Sequence, residues 1–138
     1  MKADLAASDA ILKLMEARLE REAAERKRLA EFFQFAPEPY LITSVDGTIR
    51  EANAAASAQS GVACRYLPGK PIVTLIAPQA RTEFRTRMLA LRAAGEGGAA
   101  RWRSTLKTRA KVEVEVDVSV RAIGDPAAGG YAWLLRTL

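Results

Sequence analysis

The chain of 138 residues is 49% hydrophobic and 27% charged, with a formal net charge of +5, a composition that predicts a soluble globular protein with one folded domain. No apolar run approaches the roughly 20 residues of a membrane span, and a single cysteine excludes an internal disulfide, so we expect a cytoplasmic protein. The absence of histidine removes the commonest general base and the usual haem and zinc ligand, so we expect no catalytic activity.

The first predicted element is a long helix, because residues 9–34 contain neither glycine nor proline and Ser8 or Asp9 can cap its start. Along it, two rows of residues spaced by seven form the a/d seam of a coiled coil. The rows are Leu5, Leu12, Leu19, Arg26 and Phe33, and Ser8, Met15, Glu22, Leu29 and Ala36. Glu22 and Arg26 interrupt the seam, and their spacing of four predicts an ion pair along the helix.

This seam fits two arrangements, a short coiled coil between two copies of the chain or one amphipathic helix lying on its own domain. The coiled coil is favoured, because a helix of about 26 residues is roughly 39 Å long and overhangs a domain of about 100 residues. We therefore predict a homodimer through six side chains, Leu5, Leu12, Met15, Leu19, Leu29 and Phe33. Pro37 and Pro39 end the helix, which separates a helical segment at 1–34 from a folded domain at 35–138.

The folded domain begins with a predicted β-hairpin between Tyr40 and Asn53. Asp46 and Gly47 lie between its two arms and supply the turn, because both tolerate the positive φ that a tight hairpin needs. Asn53 follows the second arm and precedes three alanines, where its side-chain oxygen can cap a short helix. That helix is predicted to end at Gly61 in a left-handed conformation.

Two further helices are predicted after the hairpin. Gly69 and Lys70 precede Pro71, which suits the first position of another short helix, and a longer helix follows at about 78–94. The longer helix has an apolar face of Ala80, Phe84, Met88 and Leu91 and a basic row of Arg81, Arg85 and Arg92. We interpret the basic row as a solvated surface.

From residue 99 the hydrophobic period changes to two, which is the period of a half-buried strand. Five valines at alternate positions from Val112 to Val120 give the clearest strand signal in the chain. A loop at 124–130 and a last strand at 131–136 complete the domain.

The two long strands are predicted to pair as a hairpin with its turn at residues 108–110. This register places Arg103 opposite Glu115, and Arg101 opposite Asp117. Opposite charges directly across an antiparallel pair stabilise it by a few tenths of a kcal/mol up to about 1 kcal/mol.

The predicted fold is α+β, with a five-stranded antiparallel sheet, the helices between strands 2 and 3, and a long amphipathic helix in front. Over residues 32–138 it resembles the PAS domain family. The matching residues follow the family's order: Ala36 and Pro37, then Asp46 and Gly47 in the first turn, Asn53, Gly69, Pro71 and the closing segment Gly130 to Arg136. The resemblance implies a sensory and protein-interaction module of a signalling protein, such as one of a two-component system. It also implies that the first helix dimerises and relays ligand or partner binding to an effector.

The residues argue against the cofactors of particular PAS subclasses. Haem would need a histidine, and the chain has none. In the flavin-binding subclass a cysteine follows the helix-leading glycine by three, whereas Cys64 precedes Gly69 by five. We therefore predict no cofactor, no metal and a core filled by side chains. A small-molecule ligand between sheet and helices is the alternative, because alanines make the helical wall small.

The basic excess leaves a second function open. Residues 1–34 carry seven basic and seven acidic side chains, whereas residues 35–138 carry fourteen basic and nine acidic ones. Because such an excess favours polyanions, the alternative is a basic binding module for nucleic acid or an acidic protein partner. No nucleic-acid-binding motif accompanies the charge, so we expect neither a nucleic acid nor a membrane as partner.

Overall fold

The computed structural model describes residues 2–124 and 129–138, and of residues 2–5 it describes the backbone only. The helices are α1 (Lys2–Phe35), α2 (Ala54–Ser60) and α3 (Arg81–Ala94), and the strands are β1 (Tyr40–Ser44), β2 (Ile49–Ala52), β3 (Ala99–Lys107), β4 (Glu113–Ile123) and β5 (Gly130–Thr137). Three short 3₁₀ turns, Cys64–Tyr66, Ile72–Leu75 and Pro78–Ala80, lie between α2 and α3. The chain divides into two compact units, of which the first ends at Phe33 and the second is Gln34–Leu138.

The five strands form one antiparallel sheet in the order β2-β1-β5-β4-β3. This confirms the predicted α+β fold, with the helices between the second and third strands and a long helix in front. The last strand of the chain, β5, is central and pairs with both β1 and β4. The hairpins β1–β2 and β3–β4 therefore join into one sheet only through the C-terminal strand.

The core of the second unit lies between one face of this sheet and the helices. Its largest fully buried side chains are Trp133, Phe84, Leu41, Ile49, Leu67, Ile72, Ile76 and Leu135. In β4 the predicted alternation is observed, since Val116 and Val118 are fully buried whereas Glu115 is exposed. Val112 differs, because it lies before the strand begins and is 56% exposed.

The predicted register of the β3–β4 hairpin is wrong by two residues. Arg103 faces Asp117 and Arg101 faces Ser119, whereas Glu115 faces Thr105. The Arg101–Asp117 ion pair still forms, as a diagonal contact in which Arg101 Nε donates to Asp117 Oδ2 at 2.9 Å. This hydrogen bond holds the pKa of Asp117 below its ordinary value.

The register differs because the turn is longer than predicted. Thr108 N donates to Val112 O at 2.9 Å, so the turn closes between these two residues. Lys111 supplies the sharp bend with a φ of 64°, a left-handed conformation that is uncommon for residues other than glycine. Sequence patterning does not indicate such a residue, because lysine has no special preference for this conformation.

Smaller differences concern the helices. Pro71 precedes the 3₁₀ turn Ile72–Leu75 with an extended ψ of 132° and is not its first residue. In α1 the described ion pair of Glu22 is with Arg18, at 3.2 Å, and not with Arg26 as predicted. Arg18 and Arg26 lie one turn on either side of Glu22, so helical spacing alone does not choose between them.

The predicted loop at 124–130 falls partly on residues 125–128, which lie outside the described residues.

Among the described helices, none carries a segment that is both long and apolar enough to span a membrane.

The burial pattern of β4 predicts unequal effects of two neighbouring substitutions. Val116→Asp should lower the free energy of unfolding by roughly 3 kcal/mol or more, because it places a carboxyl group without a partner in the core. Glu115→Gln should change it by less than about 0.5 kcal/mol, because this side chain is exposed. Urea titration of both variants measures the difference, and equal losses would mean that the faces of the sheet are assigned wrongly.

The Arg101–Asp117 pair predicts a change in acid titration. Arg101→Met should raise the pKa of Asp117 towards its ordinary value, because the hydrogen bond from Arg101 is the largest cause of its depression. A carboxyl group with a depressed pKa stabilises the fold at higher pH, and this contribution is lost as pH falls through the folded-state pKa. Carboxyl carbon NMR titration measures the shift. Arg121→Met is the control and should leave the pKa of Asp117 unchanged.

Candidate functional site

The family-motif residues of the first turn are bonded to a later segment of the chain, residues 69–72. Gly69 N donates to Ile49 O at 2.7 Å, and Ile49 N donates to Lys70 O at 2.8 Å. Ile72 N donates to Gly47 O at 2.8 Å. These three bonds bring the Asp46–Gly47 turn and the Gly69–Pro71 motif together, although more than twenty residues separate them in sequence.

Glycine is favoured at position 47 by its backbone conformation, and the neighbouring Met88 side chain would have to shift for a larger residue. The φ of Gly47 is +86°, and an added Cβ would lie 2.8 Å from Cε of Met88. Asp46 completes the turn, because its Oδ1 accepts hydrogen bonds from the Ser44 hydroxyl and from Thr48 N. These bonds, the first of them above all, hold the pKa of Asp46 below its ordinary value.

Asn53 lies at the other end of the hairpin and is fully buried. Its Oδ1 accepts from Ala56 N at 3.0 Å, which confirms the predicted helix cap, and from Tyr40 N at 3.0 Å. Its Nδ2 donates to Glu38 O at 2.9 Å. One amide therefore joins α2, β1 and the segment that precedes β1.

The space between α3 and the sheet is occupied by aromatic side chains. Phe84 stacks on Trp133 with ring centroids 5.3 Å apart, and Trp102 meets both rings edge to face at 5.7 and 6.2 Å. Trp133 Nε1 donates to Thr43 Oγ1 at 2.9 Å. These aromatic rings therefore pack against one another between α3 and the sheet.

Outside this core lies a groove of about 740 Å³ between the 3₁₀ turns and the β3–β4 turn. Its basic lining residues are Lys70, Lys107 and Arg109. Tyr66, Val62 and Leu75 supply aromatic and aliphatic surface, and the remaining lining residues carry hydroxyl groups. Among the described residues that line the groove, none is acidic. We call this feature the basic groove.

The two sides of the basic groove are held together by backbone bonds. Arg109 N donates to Ser60 O at 2.9 Å, which attaches the β3–β4 turn to the end of α2. Ala77 N donates to Thr105 O at 2.8 Å, which attaches β3 to the chain after the second 3₁₀ turn. These bonds therefore fix the relative positions of the backbone segments that carry the basic side chains.

The sequence did not indicate the basic groove, because more than thirty residues separate Lys70 from Lys107 and Arg109, and the three residues form no anion-binding motif. The one available signal was the placement of the basic excess in residues 35–138, which does not specify where the charges meet.

Cys64 lies in the first 3₁₀ turn and is half-buried. Its Sγ donates to Asn53 O at 3.5 Å and accepts from Gln34 Nε2 at 3.9 Å. In the part of the chain that the structure describes, no group of three or more histidine, cysteine, aspartate or glutamate residues is arranged to hold a metal ion.

The predicted interface residues lie along α1. Four of them have large exposed fractions: Leu12 57%, Met15 56%, Leu19 63% and Leu29 68%. Phe33 is half-buried, and the side chain of Leu5 lies outside the described residues. Their helical spacing places the described members in the two rows of the seam, so one stripe of α1 presents apolar surface.

Comparisons with known proteins identify related structures. The family model described as PAS fold matches residues 27–136. The PAS domain of an HTR-like protein from Haloarcula marismortui is 17% identical, with a TM-score of 0.77 over 89% of this chain and 99% of that chain. A comparison with curated proteins gives no significant match.

Two solved domains of signalling and regulatory proteins have the same fold. A domain of a sensory box sensor histidine kinase/response regulator from Geobacter sulfurreducens is 15% identical, with a TM-score of 0.67 over 81% of this chain and 93% of that chain. The PAS domain of a LuxR-family transcriptional regulator from Burkholderia thailandensis, in complex with ethanol, is 19% identical, with a TM-score of 0.63 over 79% and 96%. At these identities the similarity shows the fold.

The hydrogen bonds of Asn53 predict a large effect of its removal. Asn53→Ala should lower the free energy of unfolding by about 2–4 kcal/mol, because it removes a helix cap and leaves buried backbone groups without partners. Gln79→Ala is the matched control and should cost less than about 0.5 kcal/mol, because this exposed amide bonds only to the Glu113 side chain. Thermal and urea unfolding of both variants test the difference, and similar losses would contradict the assigned role of Asn53.

Proposed function

Because this chain belongs to the PAS family, we propose that it is a sensory and protein-interaction module of a signalling protein, dimerising through α1 and relaying ligand or partner binding to an effector. Its fold is that of PAS sensory domains, which occur in a sensor histidine kinase/response regulator and in a LuxR-family regulator. In this proposal the module acts in the cytoplasm and has no catalytic activity of its own.

The observation that carries the dimerisation proposal is the exposed apolar seam of α1. Leu12, Met15 and Leu19 lie on consecutive a and d positions, and each is more than half exposed. Burying one such side chain contributes roughly 1.5–3 kcal/mol. In a parallel pair of helices each seam residue meets its counterpart, so the gain is made in both chains.

The polar interruption of the seam supports a specific pairing. Glu22 and Arg26 occupy core positions, and Glu22 bonds to Arg18 within its own helix. Polar residues at such positions cost stability but set the register and the number of helices. A signalling helix needs a defined register, because the effector must receive one of two distinct arrangements.

The segment after α1 offers a route for the relay. Pro39 O accepts from Leu135 N at 3.1 Å, and the Arg136 guanidinium pairs with Glu38 at 3.0 Å. Asn53 holds the same segment from the other side through Glu38 O. A shift of β5 would therefore reach the residues that follow α1. A ligand biases this equilibrium only by the difference between its affinities for the two states.

The exposed seam predicts the effect of charged substitutions on subunit number. Leu12→Asp with Leu19→Asp should give a folded monomer, because it places four carboxylates in the dimer seam while the sheet and its core lie in residues 34–138. Ala17→Asp with Ala24→Asp is the matched control, since this pair has the same spacing on the opposite face of the helix and should stay dimeric. Sedimentation equilibrium measures all three proteins.

The opposite change should strengthen association. Glu22→Leu with Arg26→Leu removes the polar interruption and should tighten the dimer at least about tenfold or change the number of subunits. A wild-type chain that is monomeric at high micromolar concentration would overturn the dimerisation proposal. A double-aspartate variant at seam positions that unfolds would show instead that the helix packs on its own domain.

A further inference from the structure

Three basic residues line the basic groove. Lys70 precedes the second 3₁₀ turn, Lys107 ends β3, and Arg109 lies in the β3–β4 turn. None of the ion pairs in the described part of the chain involves any of these three residues. Like charges that share a groove repel one another, so the arrangement gains stability when an anion enters.

One acidic residue, Glu113, lies next to the basic groove without lining it. Glu113 is the cross-strand neighbour of Lys107, but it is not among the lining residues. Its Oε1 accepts a hydrogen bond from Gln79 Nε2 at 2.9 Å. The charged side chains among the described lining residues of the groove are therefore all basic.

The groove also has a surface for the uncharged part of a ligand. Tyr66 is 55% exposed, and Val62 and Leu75 line the same space. The guanidinium of the preceding residue, Arg65, lies 4.8 Å from the centroid of the Tyr66 ring, and this cation–π contact orients the ring. A volume of about 740 Å³ is within the usual range for small-molecule sites.

Backbone hydrogen bonds hold the two sides of the groove together. The Arg109–Ser60 backbone bond joins its two sides at 2.9 Å, and the β3–β4 turn keeps Lys111 at a φ of 64°. A lysine in this conformation is strained, and such strain persists where the surrounding bonds determine the turn. Because the backbone of these loops is already held, binding an anion costs only the ordering of the basic side chains.

We propose that the basic groove binds a small phosphate monoester, with Lys70, Lys107 and Arg109 contacting the phosphate and Tyr66 contacting the organic group. Two lysines and one arginine suit a dianion better than a single carboxylate, because arginine bonds phosphate through two parallel N–H groups while lysine acts as a point charge. This inference deepens the proposed sensory function by naming a ligand class. It rests on that function only for the ligand's role in signalling.

The test is binding of two probes, inorganic phosphate and phenyl phosphate, to the full chain by NMR titration and calorimetry. Both should bind with shifts centred on the amides of the groove, and phenyl phosphate should bind at least about threefold more tightly, because its ring contacts Tyr66. Tyr66→Ala should abolish this preference and leave inorganic phosphate binding within about twofold.

Charge variants separate a specific site from general attraction. Lys70→Gln with Arg109→Gln should weaken phenyl phosphate at least about tenfold. Arg85→Gln with Arg92→Gln is the control, since it removes the same charge from α3 outside the groove and should change affinity by less than about twofold. Equal weakening by the two pairs would overturn the proposal. So would the absence of saturation up to about 20 mM probe.

Two further outcomes are decisive. A short single-stranded DNA that binds more tightly than phenyl phosphate, with a steep salt dependence, would overturn the small-ligand proposal in favour of a nucleic-acid surface. Sedimentation of the same samples tests dimerisation separately from phosphate binding. A wild-type protein that is dimeric but binds neither probe would contradict only the proposal of phosphate binding. A wild-type protein that binds the probes but is monomeric would contradict only the dimerisation proposal.

Discussion

The structure of the second unit depends on one buried amide, that of Asn53. A buried side-chain amide must have its hydrogen bonds satisfied, and Asn53 satisfies them with three separate backbone segments. It fixes the start of β1 against the start of α2, and it holds Glu38 O in the segment after α1. The same segment bonds to the central strand β5 through Pro39 O. The entry to the domain and the centre of the sheet are thus coupled at one end of the first hairpin.

The other end of the hairpin positions the candidate ligand site. The backbone of Lys70 is held by Ile49 N, and Gly47 O holds the next turn through Ile72 N. The backbone of the first hairpin therefore determines where Lys70 lies. The opposite side of the basic groove comes from the β3–β4 turn, whose position depends on the Arg109–Ser60 bond. Both sides are attached to elements that the core makes rigid.

Two sets of charges in the second unit differ in their surroundings. On the sheet and its edge, Arg101 pairs with Asp117, and Arg136 pairs with Glu38. The basic groove instead collects cations with no acidic residue among its described lining. A net charge alone does not distinguish these sets. Position within the fold makes the first set a local stabiliser of strand pairing and the second a candidate anion site.

The sequence by itself determined the features that neighbouring residues decide. The Asp46–Gly47 turn, the Asn53 cap and the burial of Val116 follow from conformational preference, capping and a period of two, which all act over a few residues. The PAS fold was recognisable because these local features occur in a characteristic order. The register of β3–β4 was not, because it depends on the left-handed Lys111 and the length of its turn. The basic groove was decided by tertiary structure alone, because pairing of β5 with both hairpins and docking of the β3–β4 turn on α2 bring Lys70 to Lys107 and Arg109, which lie far from it along the chain.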